Sequence, residues 1–222
     1  MLNKQIQDAY VAILQEELIP AMGCTEPIAV AYAGALARKT LGQMPCEVEL
    51  VVSGNIIKNV KSVIVPHTGG KKGLKTAVAV GICCGNADQE LEVISQVTEE
   101  QLVDMERFLE TAAITIGESD STCPFDIQVT VRAGGHHAYV RIMGHHTNVV
   151  SIRRDGEVFV ERPYIDGVVQ AAENRKLLNI RDIVTFANEV PLELVRKTLD
   201  RQIRYNMAIA EEGMKGGYGA SI

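Results

Sequence analysis

The segment DIQVTVRAGGHHAYVRIMGHHTNVVSIRRDGEVFVE, residues 126–161, carries the clearest structural signal in the sequence. Polar and apolar side chains alternate in it, which is typical of β-strands with one buried face. Gly134-Gly135 and Asp155-Gly156 interrupt the alternation, and such pairs favour the tight turns of β-hairpins. The segment therefore predicts an antiparallel meander.

Helical patterns lie on both sides of this region. In residues 3–18 apolar side chains recur every three or four positions, which indicates an amphipathic helix. A second helix is predicted to begin after Thr25, a good N-cap residue. Its run from Ile28 to Leu36 is apolar nearly all round, so we expect this helix to be buried. A further helix is predicted to start at Pro191.

The region between these helices and the meander mixes both kinds of pattern. CEVELVVS, residues 46–53, alternates like a strand. SGNIIKNVKSVIVP, residues 53–66, fits either a hairpin or a short helix followed by a strand. Helices are predicted over Leu74–Cys84 and, from a capping box at Thr98 and Gln101, to about Ile114.

These patterns together predict an α+β fold, with N- and C-terminal helices around a mixed or antiparallel sheet region that contains the meander at about 126–161. We expect a helical segment over 1–44, an insert-like α+β region over 45–161 and a second helical segment over 162–222. The 222 residues are enough to bury a sizeable core.

Composition limits the classes of function. The formal net charge of −6 argues against nucleic acid as the main partner, because phosphate binding needs a basic surface. The sequence has no uncharged apolar run long enough to cross a bilayer, so we expect no membrane partner. Its five cysteines are irregularly spaced and do not resemble a disulfide framework, which favours a cytoplasmic location.

Cys24 lies in the sequence PAMGCTEP, directly before the predicted second helix. A thiol at a helix N-terminus is close to unpaired backbone N–H groups and to the positive end of the helix dipole, and both favour the thiolate. The thiolate is the form that attacks electrophiles and binds metals. The alternative is that Cys24 is a small filler residue, as we expect for Cys83 and Cys84.

A glycine-rich stretch, PHTGGKKGLKT at residues 66–76, precedes another predicted helix. Its backbone N–H groups could hold a carboxylate or a phosphate. The stretch lacks the second glycine of a P-loop, so a nucleotide site is weakly supported and a small carboxylate is the better candidate. The alternative is that the glycines only satisfy the geometry of a turn.

GCTEP at residues 23–27 resembles the signature of the serine dehydratase α-like family, which includes the L-cysteine desulfidases. One departure is His67, because glycine is expected there in most members of that family. The similarity continues in matching order through SGNIIKN (53–59), the PxTG segment (66–69), GHHTNVV (144–150), FANEVP (186–191) and EEGMKGGYG (211–219).

The resemblance implies a chain about twice this long, of which these residues form the N-terminal half. It implies β-elimination from L-cysteine or L-serine, which gives pyruvate, ammonia and either sulfide or water. It also implies an oxygen-sensitive [4Fe–4S] cluster, for which Cys24 would be the one iron ligand in this half. The other ligands would come from the missing C-terminal half, so we expect this chain alone to hold no cluster and to be inactive.

By the same resemblance, a small amino-acid substrate would bind beside Cys24. No catalytic base is identified, and Lys58 is only a weak candidate. The expected substrate-binding residues are Thr25, Glu26, Asn55, Asn59, Thr68, Gly69, His146 and Thr147.

Two alternatives come from other functional classes. The chain could be a non-catalytic module that holds a small carboxylate between the helix starts at Cys24 and Thr68. It could instead be an interaction module whose exposed apolar surface binds its missing half, a partner subunit or a second copy in a homo-oligomer.

Overall fold

The computed structural model of this protein describes residues 2–21, 23–164 and 172–217. The chain divides into two compact units, which we call the helical unit (Met1–Pro20 with Gly167–Ile222) and the sheet unit (Ala21–Asp166). Helices at both ends of the chain and a mixed sheet confirm the predicted α+β fold.

A six-stranded sheet forms the frame of the sheet unit. Its strands are β1 (Glu47–Val52), β2 (Ala113–Glu118), β3 (Asp126–Ala133), β4 (His136–Met143), β5 (Val149–Arg154) and β6 (Glu157–Glu161). They follow the order β2-β1-β3-β4-β5-β6. The β1–β2 pair is parallel and the other neighbouring pairs are antiparallel.

The predicted meander is confirmed as β3–β6. Its turns occur at the expected places, with positive φ angles of 59° and 83° at Gly134 and Gly135, and of 50° and 87° at Asp155 and Gly156. Glycine adopts such angles readily because it has no Cβ. Turn chemistry and alternation together therefore fixed this part of the fold.

The helices of the sheet unit are α2 (Thr25–Leu41), α3 (Gly54–Val60), α4 (Gly73–Cys84) and α5 (Glu99–Thr111), with a 3₁₀ helix at Ala87–Glu92. The ambiguous segment after β1 is thus a short helix, and the capping box at Thr98 is present. The helix predicted to reach Ile114 ends earlier, because Ala113–Glu118 pairs with β1 as a strand. Ile114 and Ile116 alternate as in a strand, but no turn residue separates them from the helical pattern before them.

Helix α2 crosses the centre of the sheet unit and packs on α4, β3 and β4. The main chains of α2 and α4 approach closely at Gly81, where a Cβ atom would lie only 1.9 Å from the Ala31 carbonyl oxygen. Only glycine permits this contact. The tight packing explains why α2 is rich in alanine and buried on nearly all sides.

The helical unit consists of α1 (Lys4–Glu17), α6 (Ala172–Arg175), α7 (Ile180–Glu189) and α8 (Leu192–Gly213). Helix α8 begins directly after Pro191, as predicted. The Tyr10 ring packs edge-on against Phe186 at 5.4 Å between centroids, and the Tyr10 hydroxyl donates to the Leu177 carbonyl at 2.9 Å. The predicted helical segment 1–44 is thereby divided between the units, since α1 belongs to the helical unit and α2 to the sheet unit.

Among the described helices, none is both long enough and apolar enough to span a lipid bilayer.

Candidate functional site

The candidate site lies at the N-terminus of α2, where the helix begins one residue earlier than predicted. Cys24 rather than Thr25 is the N-cap, with an extended backbone and no side-chain capping bond. Pro27 then occupies the third helical position. Proline has no backbone N–H, but the first N–H groups of a helix have no intrahelical partner. The earlier helix start therefore loses no hydrogen bond at Pro27.

Cys24 is hydrogen-bonded to a carboxylate in the same turn. Its Sγ donates to Glu26 Oε2 over 3.1 Å. Partial shielding from water and this bond to Glu26 raise the pKa of the Cys24 thiol above its usual value. The thiolate predicted from the helix dipole is therefore not the favoured form, because a carboxylate two residues away disfavours a second negative charge.

Glu26 joins three segments of the chain. Asn59, in the last turn of α3, donates through Nδ2 to Glu26 Oε1 at 3.4 Å. The hydrogen bond from Cys24, and to a smaller extent Asn59 and the charge of His146, hold the pKa of Glu26 below its ordinary value. We call Cys24, Glu26, Asn59 and His146 the Glu26 cluster.

His146 lies in the third of these segments, the loop between β4 and β5. Its ring packs edge-on against Phe125, with 4.6 Å between centroids. Burial lowers the pKa of His146, and the attraction of Glu26 opposes this only in part. The imidazole is thus mainly neutral at pH 7 and able to accept a proton. Sequence periodicity gave no sign that His146 approaches Glu26; only the family resemblance pointed to it.

The glycine-rich loop adjoins the start of α2. A Cβ atom on Gly23 would lie 3.4 Å from Pro66 Cγ. Thr68 is buried and directs its hydroxyl to the carbonyls of its own loop, Val65 at 2.8 Å and Lys71 at 3.2 Å. Its hydroxyl proton is therefore used to shape the loop.

Gly69 is exposed at the tip of this loop with a φ of 66°, and Gly70 follows with a φ of 87°. Within the described part of the chain, neither glycine N–H donates a hydrogen bond. Two adjacent N–H groups of this kind can hold a carboxylate. The anion-binding interpretation of this loop stays a prediction.

The remaining predicted site residues lie close to members of the Glu26 cluster in the chain. Asn55 is exposed one helical turn before Asn59, on the same side of α3. Thr25 and Thr147 are half-buried neighbours of Cys24 and His146 in the chain. Lys58 is exposed, and within the described residues it forms no hydrogen bond or ion pair with the cluster. Its role as a base stays a prediction.

The thiols and acids of the described residues do not form a complete metal site. A [4Fe–4S] cluster is usually held by four thiolates, whereas the Glu26 cluster contains one thiol. Across residues 2–21, 23–164 and 172–217, no group of three His, Cys, Asp or Glu side chains is placed to hold a metal. Burial raises the pKa of Cys83 to about 12 and of Cys84 to about 11, which supports their role as fillers.

Two cavities lie elsewhere in the sheet unit. One, of about 560 Å³, is beside Arg38 and Lys39 near the C-terminal end of α2. The other, of about 770 Å³, lies on the sheet face that carries Tyr139 and Arg141. Neither is lined by a residue predicted for the site. In the Glu26 cluster, Cys24 is exposed and the other three side chains are half-buried.

Several curated bacterial proteins are similar to this chain over nearly its whole length, and each is named a UPF0597 protein. The one from Desulfitobacterium hafniense is 45% identical over 213 residues, which are 96% of this chain and 50% of that protein. The protein from Treponema denticola is 41% identical over 219 residues, 98% of this chain and 51% of that protein. The one from Vibrio parahaemolyticus is 36% identical over 215 residues, 96% of this chain and 50% of that protein.

The chain spans about half the length of the curated relatives it matches. Their names state no activity. No family model matches the chain, and no solved structure does.

Proposed function

We propose that this chain is the N-terminal half of an iron–sulfur-dependent, β-eliminating lyase that acts on L-cysteine or L-serine in the cytoplasm. The observation that carries the proposal is the convergence at α2 of segments that the family resemblance singled out separately. GCTEP supplies Cys24 and Glu26, SGNIIKN supplies Asn59, and GHHTNVV supplies His146. The glycine-rich loop adjoins them through Pro66.

The cluster's residues suit distinct parts of such a reaction. His146, neutral and half-buried, is proposed to accept the proton from the substrate α-carbon. Glu26 lies close enough to stabilise the imidazolium that forms. The backbone N–H groups of Gly69 and Gly70 are proposed to hold the substrate carboxylate.

The amino group needs an acceptor, and Asn59 offers one. Its Nδ2 is committed to Glu26, which leaves its side-chain oxygen available to a substrate ammonium group. Loss of the α-proton and of the β-substituent gives aminoacrylate, which water converts to pyruvate and ammonia. Sulfide leaves when the substrate is cysteine, and water leaves when it is serine.

The cofactor of the proposed enzyme depends on sequence outside this chain. When bound, a [4Fe–4S] cluster would supply Lewis-acid assistance to the leaving group. The described residues alone do not fit such a cluster, so Cys24 is proposed as one ligand among others from the uncovered half. Glu26, which accepts the hydrogen bond of the Cys24 thiol, would accept its proton if Cys24 served as a ligand.

Anaerobic reconstitution tests the proposal. This chain would be expressed with the unmatched half of the Desulfitobacterium hafniense relative, supplied with iron and sulfide, and assayed for pyruvate from L-cysteine and L-serine. We expect iron binding and turnover for the pair, and neither for the chain alone. His146→Gln should abolish turnover and keep iron, whereas Cys24→Ser should lose both.

The control is Cys46→Ser, because Cys46 is also exposed and lies outside the Glu26 cluster. Colourless, inactive protein from the reconstituted pair would contradict the proposal, as would pyruvate from the isolated chain. The unused N–H groups of Gly69 and Gly70 favour one alternative, a non-catalytic carboxylate-binding module. Amino-acid binding by the isolated chain, without turnover in the reconstituted pair, would support that alternative.

A further inference from the structure

The second half of α8 is exposed at the surface of the helical unit. Val195 and Thr198 are the buried residues of this helix, and residues 202–213 are all exposed. An isolated helix of about 12 residues is only marginally stable in water. A surface packed against this half of α8 would stabilise it, and the described residues of the helical unit do not supply one.

Apolar side chains follow one side of the exposed half. Ile203, Met207, Ala210 and Met214 recur at the spacing of a helical face, and we call them the α8 stripe. The exposed fractions are 58% for Ile203, 52% for Met207 and 88% for Met214. Leu199, one turn before Ile203, packs partly into the core of the helical unit. The α8 stripe thus continues a side of the helix that is already in use for packing.

Charges beside the stripe give it a direction. Arg204 follows Ile203 and Glu211 follows Ala210. Lys215 follows Met214 but is paired with Glu212, which leaves Arg204 and Glu211 as the charges that flank the stripe. The two residues are seven positions apart and lie on the same side of the helix. A complementary helix would carry an acidic residue opposite Arg204 and a basic residue opposite Glu211.

We propose that the α8 stripe is the docking surface for an apolar helix from the half of the longer relatives that this chain does not span. Those relatives carry about as much sequence again as the matched part, which is enough to supply the partner. The inference rests on the proposed half-enzyme arrangement. It does not depend on lyase activity.

Hydrogen exchange tests the docking surface. One sample is this chain alone, and the other is a chimera in which this chain replaces the matched half of the Desulfitobacterium hafniense relative. We expect amides of residues 202–214 to exchange at least about tenfold more slowly in the chimera, because packing suppresses local opening. The intact relative, measured at its corresponding helix, is the reference.

Paired substitutions show which side of α8 is covered. Ile203→Glu together with Met207→Glu should remove the protection in the chimera, because both charges enter the contact. Ala208→Glu adds a charge about 140° around the helix from Ile203 and should leave the protection in place.

Three results would overturn the proposal. In the first, residues 202–214 exchange in the chimera as fast as in the chain alone. In the second, the corresponding helix of the intact relative is not protected. In the third, the segment is protected in the chain alone, and analytical ultracentrifugation shows that the chain is a dimer. The last result would assign the stripe to a second copy. A chimera that protects the segment but forms no pyruvate would contradict only the proposed lyase.

Discussion

Helices α2 and α8 show opposite relations between sequence and environment. Helix α2 is buried along most of its length, from Pro27 to Leu41. Helix α8 is longer and carries apolar residues along its length, yet it buries only Val195 and Thr198 among the described residues. The difference teaches that α2 is covered by elements of its own unit, whereas the second half of α8 is left exposed by the described residues of its unit.

The largest expected change in stability, and the strongest test of this comparison, is at the contact between α2 and α4. In Gly81→Ala, the new methyl group would lie 1.9 Å from the Ala31 carbonyl oxygen, so the two main chains must separate. We expect the free energy of unfolding to fall by about 3 kcal/mol or more. Urea unfolding followed by circular dichroism measures this loss.

Gly213→Ala is the matched control in α8, because a Cβ atom there meets no atom within 4 Å. Alanine favours the helix by about 0.5–1 kcal/mol over glycine, so this variant should show no loss of stability. If Gly81→Ala and Gly213→Ala lowered the free energy of unfolding equally, the contrast between the packing of α2 and that of α8 would be wrong.

The second prediction concerns the reactivity of the Cys24 thiol, at the exposed start of the otherwise buried α2. Glu26→Gln removes the negative charge that helps to raise the pKa of Cys24, so the thiolate should form at lower pH. Because alkylating agents react with the thiolate, the rate of iodoacetamide labelling of Cys24 at pH 8 should increase about threefold or more. Mass spectrometry of the labelled peptides measures the rate.

Cys46 is the internal control, since it is exposed and distant in sequence from Glu26. Its labelling rate should not change. A Cys24 rate that stays constant or falls in Glu26→Gln would show that the carboxylate does not restrain the thiol.

A smaller effect is expected in the glycine-rich loop. His67 has a φ of 57°, in the left-handed region that costs a residue with a Cβ about 1–2 kcal/mol. This is the position where the family resemblance leads us to expect glycine. His67→Gly should therefore raise the free energy of unfolding by about 0.5–1 kcal/mol, after the greater freedom of glycine in the unfolded chain is subtracted.

Gly69→Ala is the reverse test in the same loop. The φ of 66° at Gly69 lies in the left-handed region that favours glycine, and an added Cβ atom would meet no atom within 4 Å. Any loss of stability in this variant therefore measures backbone strain alone. We expect a loss of about 1 kcal/mol in urea unfolding. Destabilisation by His67→Gly would contradict the strain argument.

The smallest expected effect is the titration of His146. Because its pKa in the folded protein lies below the ordinary value, the stability it contributes is present above that ordinary value and is lost as the pH falls through the folded pKa. NMR titration of the ring protons measures the folded value. Glu26→Gln should lower it further, since it removes an attraction for the imidazolium; a rise would contradict the pairing of Glu26 with His146.

Local chemistry predicted much of the fold. The glycine pairs of the meander and the capping box at Thr98 each act within a few residues, and both were found where expected. Strand β2 was missed because Ala113–Glu118 follows a helix directly and pairs with β1, about 65 residues earlier in the chain. The short alternation of Ile114, Thr115 and Ile116 follows the helical pattern without a turn residue, so the helix prediction ran into the strand.

The candidate site was predictable in its members but not in its arrangement. Cys24 and Glu26 are two residues apart, yet the thiolate prediction considered the helix dipole and omitted the neighbouring carboxylate. The approach of Asn59 and His146 depends on how α3 and the β4–β5 loop pack against α2. Such packing emerges only when the sheet is assembled.

The long connection between β1 and β2 also has a kinetic consequence. Strands β3 to β6 are joined by short connections, so they can pair with contacts that are local in sequence. Strand β2 pairs with β1, and α3, α4 and α5 lie between the two strands in the chain. Contacts between distant residues carry a larger loop-closure entropy and form slowly. During synthesis and refolding, the β1 edge should thus be the last part of the sheet to close, and the exposed intermediate would be open to strand pairing with other chains until it does.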